Sequence, residues 1–246
     1  VEPSPVRTYL GLYAYVWRLA LTAVVHRLHY LLIAPLTAVA YQYAIKAVDL
    51  LVGTVGDPNT REVTRVASGF LTSLIFAAAL SLVLFVGRAI IEQRRLQLAD
   101  LETGMGAFLG DMLTIFFVLW IVGMVLPIAA TLLFAAIVIL PMFEMAALTP
   151  EGGLALFGSV FRFAQRDAFP WLMGQTPLVT VLFVWTLFDV VLLPHVPPLL
   201  QTWVHETVLG ALVLVGFVYR GVLFLTLDNY SPRRRAERFG GAPGLR

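Results

Sequence analysis

From Met112 to Phe143 the chain runs for 32 residues without a single charge. A membrane span needs about 20 apolar residues. This tract is too long for one crossing, and Met105–Gly110 and Met145–Leu148 extend it further. It reads as two helices folded into a hairpin that turns near Gly123–Pro127. Hydrocarbon offers no water to backbone N–H and C=O groups, so a spanning chain is helical or a closed barrel. No ten-residue stretch alternates with period two, which leaves helices. The expected fold class is all-α, a polytopic helical membrane protein.

Composition agrees. Only 13% of the 246 residues are charged, against about 25% in soluble domains. The mean hydropathy is +0.86. Cysteine is absent, which excludes thiolate metal sites, disulfides and thiol nucleophiles. The pI near 9.1 does not argue for nucleic acid, because the positive charge sorts by membrane side.

Six spans are predicted, at about 30–52, 66–91, 107–124, 128–145, 177–193 and 203–227, arranged as three hairpins. Two further helices are expected at the interface. The first, 9–28, is rich in Tyr and Trp and interrupted by Arg18; its rival reading is a true span with Arg18 buried. The second, 154–168, puts Leu156, Phe157, Val160, Phe161 and Ala164 on one side and Arg162, Gln165, Arg166 and Asp167 on the other. Pro170 is expected to end it, with Trp171 anchored at headgroup depth. Glu92–Glu102 reads as an extension of the second span's helix. Lys46 and Asp49, three apart, are placed to pair. Gly53–Asn59 is a turn-rich loop and Thr60 a cap for the next helix. The domain reading is a lead with interfacial helix (1–29), a membrane domain (30–227) and a basic, mobile tail (228–246). Val1–Thr8 does not resemble a signal peptide, and loss of an initiator Met before Val1 is the simplest account of the start.

Sidedness follows from counting. With six spans, fourteen arginines fall on the side of the two termini, and Lys46, Arg61 and Arg65 fall on the other. Positive residues mark the cytosolic side. The expected location is a bacterial inner membrane with both termini cytosolic. If 104–148 crossed only once, Arg162 and Arg166 would sit outside, and the final pair of spans would invert and carry the Arg-rich tail outside with them.

Ionisable groups at membrane depth are the candidates for function. Asp111, Glu144, Arg220 and Asp228 lie toward the cytosolic end, where a carboxylate–arginine network is sterically possible. Its simplest form pairs Arg220 with Glu144 or Asp111 to hold helices together. Asp189 is the acid closest to the midplane, read as a helix–helix contact or a transport site. Gly104, Gly106 and Gly110 suggest close helix packing. Pro127 and Pro141 can free carbonyls in or beside the central spans. His26 and His29, three apart, would share a helical face and are weak tetrapyrrole-ligand candidates, so a tetrapyrrole stays open; no cofactor is otherwise predicted beyond bound lipid. Arg162, Arg166, Trp171, Arg233, Arg234 and Arg235 are expected to meet anionic lipid or a partner. No phosphate loop, metalloprotease motif or nucleophile elbow occurs.

Three functions are consistent with this pattern. The first is a non-catalytic accessory or structural subunit that packs against other membrane subunits. The second is a transporter or permease subunit for a small solute or ion. The third is an intramembrane enzyme acting on lipid, which would need Asp111, Glu144 and Asp228 to converge.

Overall fold

A computed structural model describes residues 5–55, 61–153, 155–191 and 193–239. All regular structure among them is helical: α1 (Pro5–His26), α2 (Ile33–Val55), α3 (Arg61–Ile91), α4 (Leu98–Ala107), α5 (Leu109–Val125), α6 (Ile128–Phe134), α7 (Leu140–Leu148), α8 (Ala155–Val191), α9 (Pro198–Asn229) and α10 (Pro232–Phe239). Short 3-10 turns cover Leu28–Leu32 and Leu193–His195, and a π-turn, Ala135–Ile139, joins α6 to α7. Seven helical segments are long and apolar enough to cross a bilayer by length and composition. The chain is an integral, multi-pass membrane protein.

The uncharged tract is divided into two helical segments. α5 ends at Val125, Leu126 is extended, and Pro127 caps α6. The residues predicted to form the Gly53–Asn59 loop lie partly, and Thr60 wholly, outside the described residues.

The segment after α3 departs from expectation. The helix does not continue through Glu92–Glu102 but ends at Ile91, and Gln93 takes a positive φ of 54°. A reciprocal cap then starts α4: the Gln97 N–H donates to Asp100 at 2.8 Å, and the Gln97 side chain accepts in return. Such a cap satisfies donors that a helix start leaves open. α4 turns back along α3. The Ser81 hydroxyl donates to the Gly104 carbonyl at 2.9 Å and accepts from the Phe108 N–H at 3.0 Å. Any Cβ on Gly104 would stand 2.7 Å from the Phe85 ring, while Gly106 and Gly110 face open space. One of the three glycines marks a close contact.

α8 is the larger correction. Pro170 does not end a helix, and 154–168 is not a separate surface element. A single helix of 37 residues runs from Ala155 to Val191, with Pro170 and Pro177 inside it. At 1.5 Å per residue it is roughly 55 Å long, more than the about 40–45 Å of a bilayer with its headgroups. Two hydroxyls from neighbouring helices bond carbonyls in the proline-bearing stretch. The Tyr13 hydroxyl donates to the Pro170 carbonyl and the Tyr219 hydroxyl to the Gly174 carbonyl, both at 2.9 Å. The buried stripe is Leu156, Val160, Phe163, Asp167, Trp171 and Gly174. Phe161, assigned to the apolar face, is exposed, and Asp167, assigned to the polar face, is fully buried. The tail is corrected too. Residues 232–239 form α10, which packs on α1 with Phe239 beside Tyr15 at 5.3 Å.

α9 is the hub. From Leu214 to Leu227 it buries residues on nearly every side, and it touches α1, α2, α3, α7 and α8. Its closest crossing is at Gly210, where a Cβ would lie 2.8 Å from the Pro35 nitrogen and 2.9 Å from the Ala34 carbonyl. Small residues let spanning helices approach backbone to backbone. Gly210→Ala must push α2 and α9 apart, since backbone cannot rotate away as a side chain can. A loss of about 1–3 kcal/mol is expected, the usual range for overpacking. Thermal unfolding in detergent checks it, with Gly106→Ala, which meets open space, as the silent control.

Helix ends sort the bundle. Gly221 of α9 faces Ile91 at the end of α3 and Leu148 at the end of α7. Near this arginine-rich end α1 makes its contacts along its length: Tyr13 to Pro170, Trp17 to Tyr219 at 4.6 Å, and the Arg27 guanidinium donating to the Gln93 carbonyl at 2.8 Å.

Candidate functional site

The charged residues at the arginine-rich end separate into three contacts instead of one network. In the first, Asp167 of α8 is fully buried and accepts from two arginines. Arg166 Nε donates to Oδ2 at 2.5 Å, and Arg235 of α10 donates to Oδ1. Arg166 also reaches Asp228 at 3.0 Å, so Asp167 ties α10 to α8 and Arg166 ties α8 to the end of α9. Arg235 is itself 3% exposed, and its Nε finds no acceptor.

In the second, Arg220 Nε of α9 donates to Glu144 Oε1 of α7 at 2.7 Å. The Glu144 carboxylate is fully buried and its Oε2 has no partner, whereas the Arg220 side chain keeps 20% of its surface. In the third, Asp111 takes neither arginine. It accepts the Gly153 N–H at 2.8 Å and so fixes the α7–α8 connection. Gly153 has a φ of 57°, which a residue with a Cβ adopts at a cost.

At the far end, Asp189 meets His205 Nδ1 at 2.8 Å, joining α8 to α9, with the Trp185 ring 5.7 Å from the imidazole. Lys46 and Asp49 do not pair; the Lys46 ammonium sits over the Tyr43 ring, 5.6 Å from its centroid. His26 and His29 do not share a helical face. α1 ends at His26, whose Nδ1 lies 2.7 Å from the Thr22 carbonyl, and His29 belongs to the next 3-10 turn, against Tyr30. No group of three or more His, Asp or Glu able to hold a metal occurs among the described residues.

The arginines assigned to lipid or partner contact divide. Arg162 is exposed and donates to Ser159 at 2.7 Å, and Arg233 and Arg234 are exposed, whereas Arg166 and Arg235 close on Asp167. Trp171 is not a headgroup anchor. It is fully buried, and its indole N–H donates to the Ala136 carbonyl at 3.2 Å. That carbonyl needs a donor for a local reason. In the π-turn the Leu140 N–H bonds five residues back, to Ala135. The next residue in that register is Pro141, which has no N–H to give Ala136. Trp171 supplies it, and a proline on one span is answered by an indole on another.

Asp167 is the residue that sequence reasoning misplaced. A signal existed: it continues the spacing Leu156, Val160, Phe163, which is one helix face. Chemically, the contacts of Asp167, Glu144, Asp111 and Asp189 each join separate elements of the chain. They bring no two acids together over an open space, and Asp111, Glu144 and Asp228 close on different partners. No known protein family, curated protein or solved structure matches this chain.

Proposed function

We propose that the protein is a non-catalytic structural subunit of a larger membrane complex. In this reading α2, α3, α4–α5, α6–α7, α8 and α9 are six crossings in three hairpins. α1 lies along the arginine-rich face, because Tyr13 and Arg27, about 21 Å apart along the helix axis, both bond at that end. The face is cytosolic by its positive charge, in a bacterial inner membrane.

The observation that carries the role is the far half of α8. From Val179 to Val191 it has no buried residue, and Val179, Phe183 and Val190 are 62%, 63% and 67% exposed. The ion pairs at Asp167, Glu144 and Asp189 join this chain's own helices. In a bilayer an apolar surface such as this half of α8 meets lipid or the spans of partner subunits, and in this reading it meets partners. The test is a gentle purification in native detergent, followed by mass measurement of the intact particles. Stoichiometric membrane partners are the expected result. A monomer or a symmetric homo-oligomer overturns the reading.

A transporter is the second reading. It is favoured by the unpartnered Glu144 Oε2, four residues beyond Leu140 in a helix already loosened by the π-turn at Ala135–Ile139. π-turns recur at functional sites.

A further inference from the structure

We propose that the groove between α2, α3 and α4 holds one acyl chain of an anionic phospholipid, whose phosphate is bound by Arg27, Arg94 and Arg95. The groove has a volume of about 430 Å³ and is walled by Ile33, Ala40, Ala78, Leu82, Leu101 and Met105 among others. Alanines on two facing helices leave the slot. Its polarity is slight: the Thr37 hydroxyl is turned back onto the Ile33 carbonyl at 2.8 Å. The wall on α2 runs from Ile33 to Ala44. That is roughly 16 Å of helix, about half of a 30 Å hydrocarbon core, the depth of one leaflet.

The groove begins under a basic rim. Tyr30, three residues before Ile33, accepts the Leu96 N–H at 2.6 Å and so joins the 3-10 turn to the segment before α4. Beside it Arg27 reaches Gln93, and the Arg27 Nε is buried without an acceptor. Arg94 and Arg95 are exposed and form no ion pair among the described residues. The neighbouring acids are mostly occupied: Glu92 holds Arg88 at 2.7 Å, and Asp100 holds the Gln97 N–H. Glu102 is the exposed acid nearby. Three arginines in the segments that meet beyond the Ile33 end of an aliphatic slot one leaflet deep match an amphiphile with an anionic head. A free phosphate would use the rim alone, and a neutral lipid the slot alone. The site depends on the chain lying in a membrane and not on the subunit role, so either can fail without the other.

Titration of the delipidated, detergent-solubilised chain, read by native mass spectrometry, tests the site. Phosphatidylglycerol is expected to add one saturable equivalent at least tenfold more tightly than phosphatidylcholine. A basic residue near an anionic surface is worth roughly a factor of five. Arg94→Ala with Arg95→Ala should therefore weaken phosphatidylglycerol about 25-fold and leave phosphatidylcholine unchanged. Arg162→Ala with Arg234→Ala removes the same charge elsewhere and should change neither. Equal affinity for the two lipids overturns the proposal. So does an equal loss in the two double variants, or full competition by glycerol phosphate at the lipid's own concentration.

Discussion

Asp167→Ala is expected to release the C-terminal helix from the bundle. The substitution leaves Arg235, 3% exposed, without a counter-charge, and Arg166 with Asp228 alone. Removing one partner of a buried ion pair costs about 3–5 kcal/mol. The chain has a cheaper exit, because α10 can leave α1 and return Arg235 to water. That forfeits the packing of Phe239, 8% exposed, against Tyr15 and Tyr230. Burial of one such ring is worth about 1.5–3 kcal/mol. The smaller cost should win. Limited trypsin digestion would show faster cleavage around Arg233–Arg235, with a modest fall in the unfolding temperature of the rest. A double variant, Asp167→Leu with Arg235→Met, exchanges the pair for apolar contact and should keep α10 docked. If the single variant digests no faster than wild type, the carboxylate is not what holds the tail.

Arg220→Ala should be more damaging than Glu144→Ala. The two side chains form one contact but differ in exposure, 20% for arginine and none for glutamate. Without Arg220 the carboxylate is buried with no partner on either oxygen, and about 3–5 kcal/mol is lost. Without Glu144 the guanidinium can move toward the headgroups on its long stem, as arginines near helix ends do. About 1–3 kcal/mol is expected for that loss of a charged hydrogen bond. Arg220→Met combined with Glu144→Leu should recover most of the deficit. Thermal unfolding in one detergent, compared across all four chains, gives the order. A larger effect from Glu144→Ala would mean that Arg220, not Glu144, is the dependent partner.

The division of the uncharged tract into two helices and its break at Leu126–Pro127 were legible from the residues, because absence of charge and a proline are local signals. The Glu144–Arg220 pair was legible as one of two choices once the helices had been ordered by depth. Asp111 could not be assigned in that way. Its partner is a backbone N–H at Gly153, and a backbone group leaves no mark in composition. The split of 154–193 into a surface helix and a span failed at Pro170. Proline ends helices in water because its carbonyl at i−4 and its crowded turn lack a substitute. Here the helix continues as α8, packed along this stretch by α1 and α9, whose Tyr13 and Tyr219 hydroxyls bond the Pro170 and Gly174 carbonyls, and neither tyrosine is near it in sequence.

The sequence by itself determined the solvent. Runs of apolar residues without charge, backbone groups that must be satisfied within helices, and arginines gathered on one side leave a multi-pass helical membrane protein as the outcome. Which helix is central emerges from the packing alone. α5 lies in the least polar tract, yet it exposes Phe117, Trp120 and Met124 at 59%, 61% and 70%. α9 carries Glu206 and Arg220 and is nonetheless the helix around which the others pack. In water, apolarity predicts burial because water is the alternative. In a bilayer the alternative is lipid, as apolar as leucine, so apolarity records depth and not burial. The choice of neighbours falls to small residues such as Gly210, to closed charge pairs such as Asp167 with Arg235, and to carbonyls such as that of Ala136 that need a donor from another span.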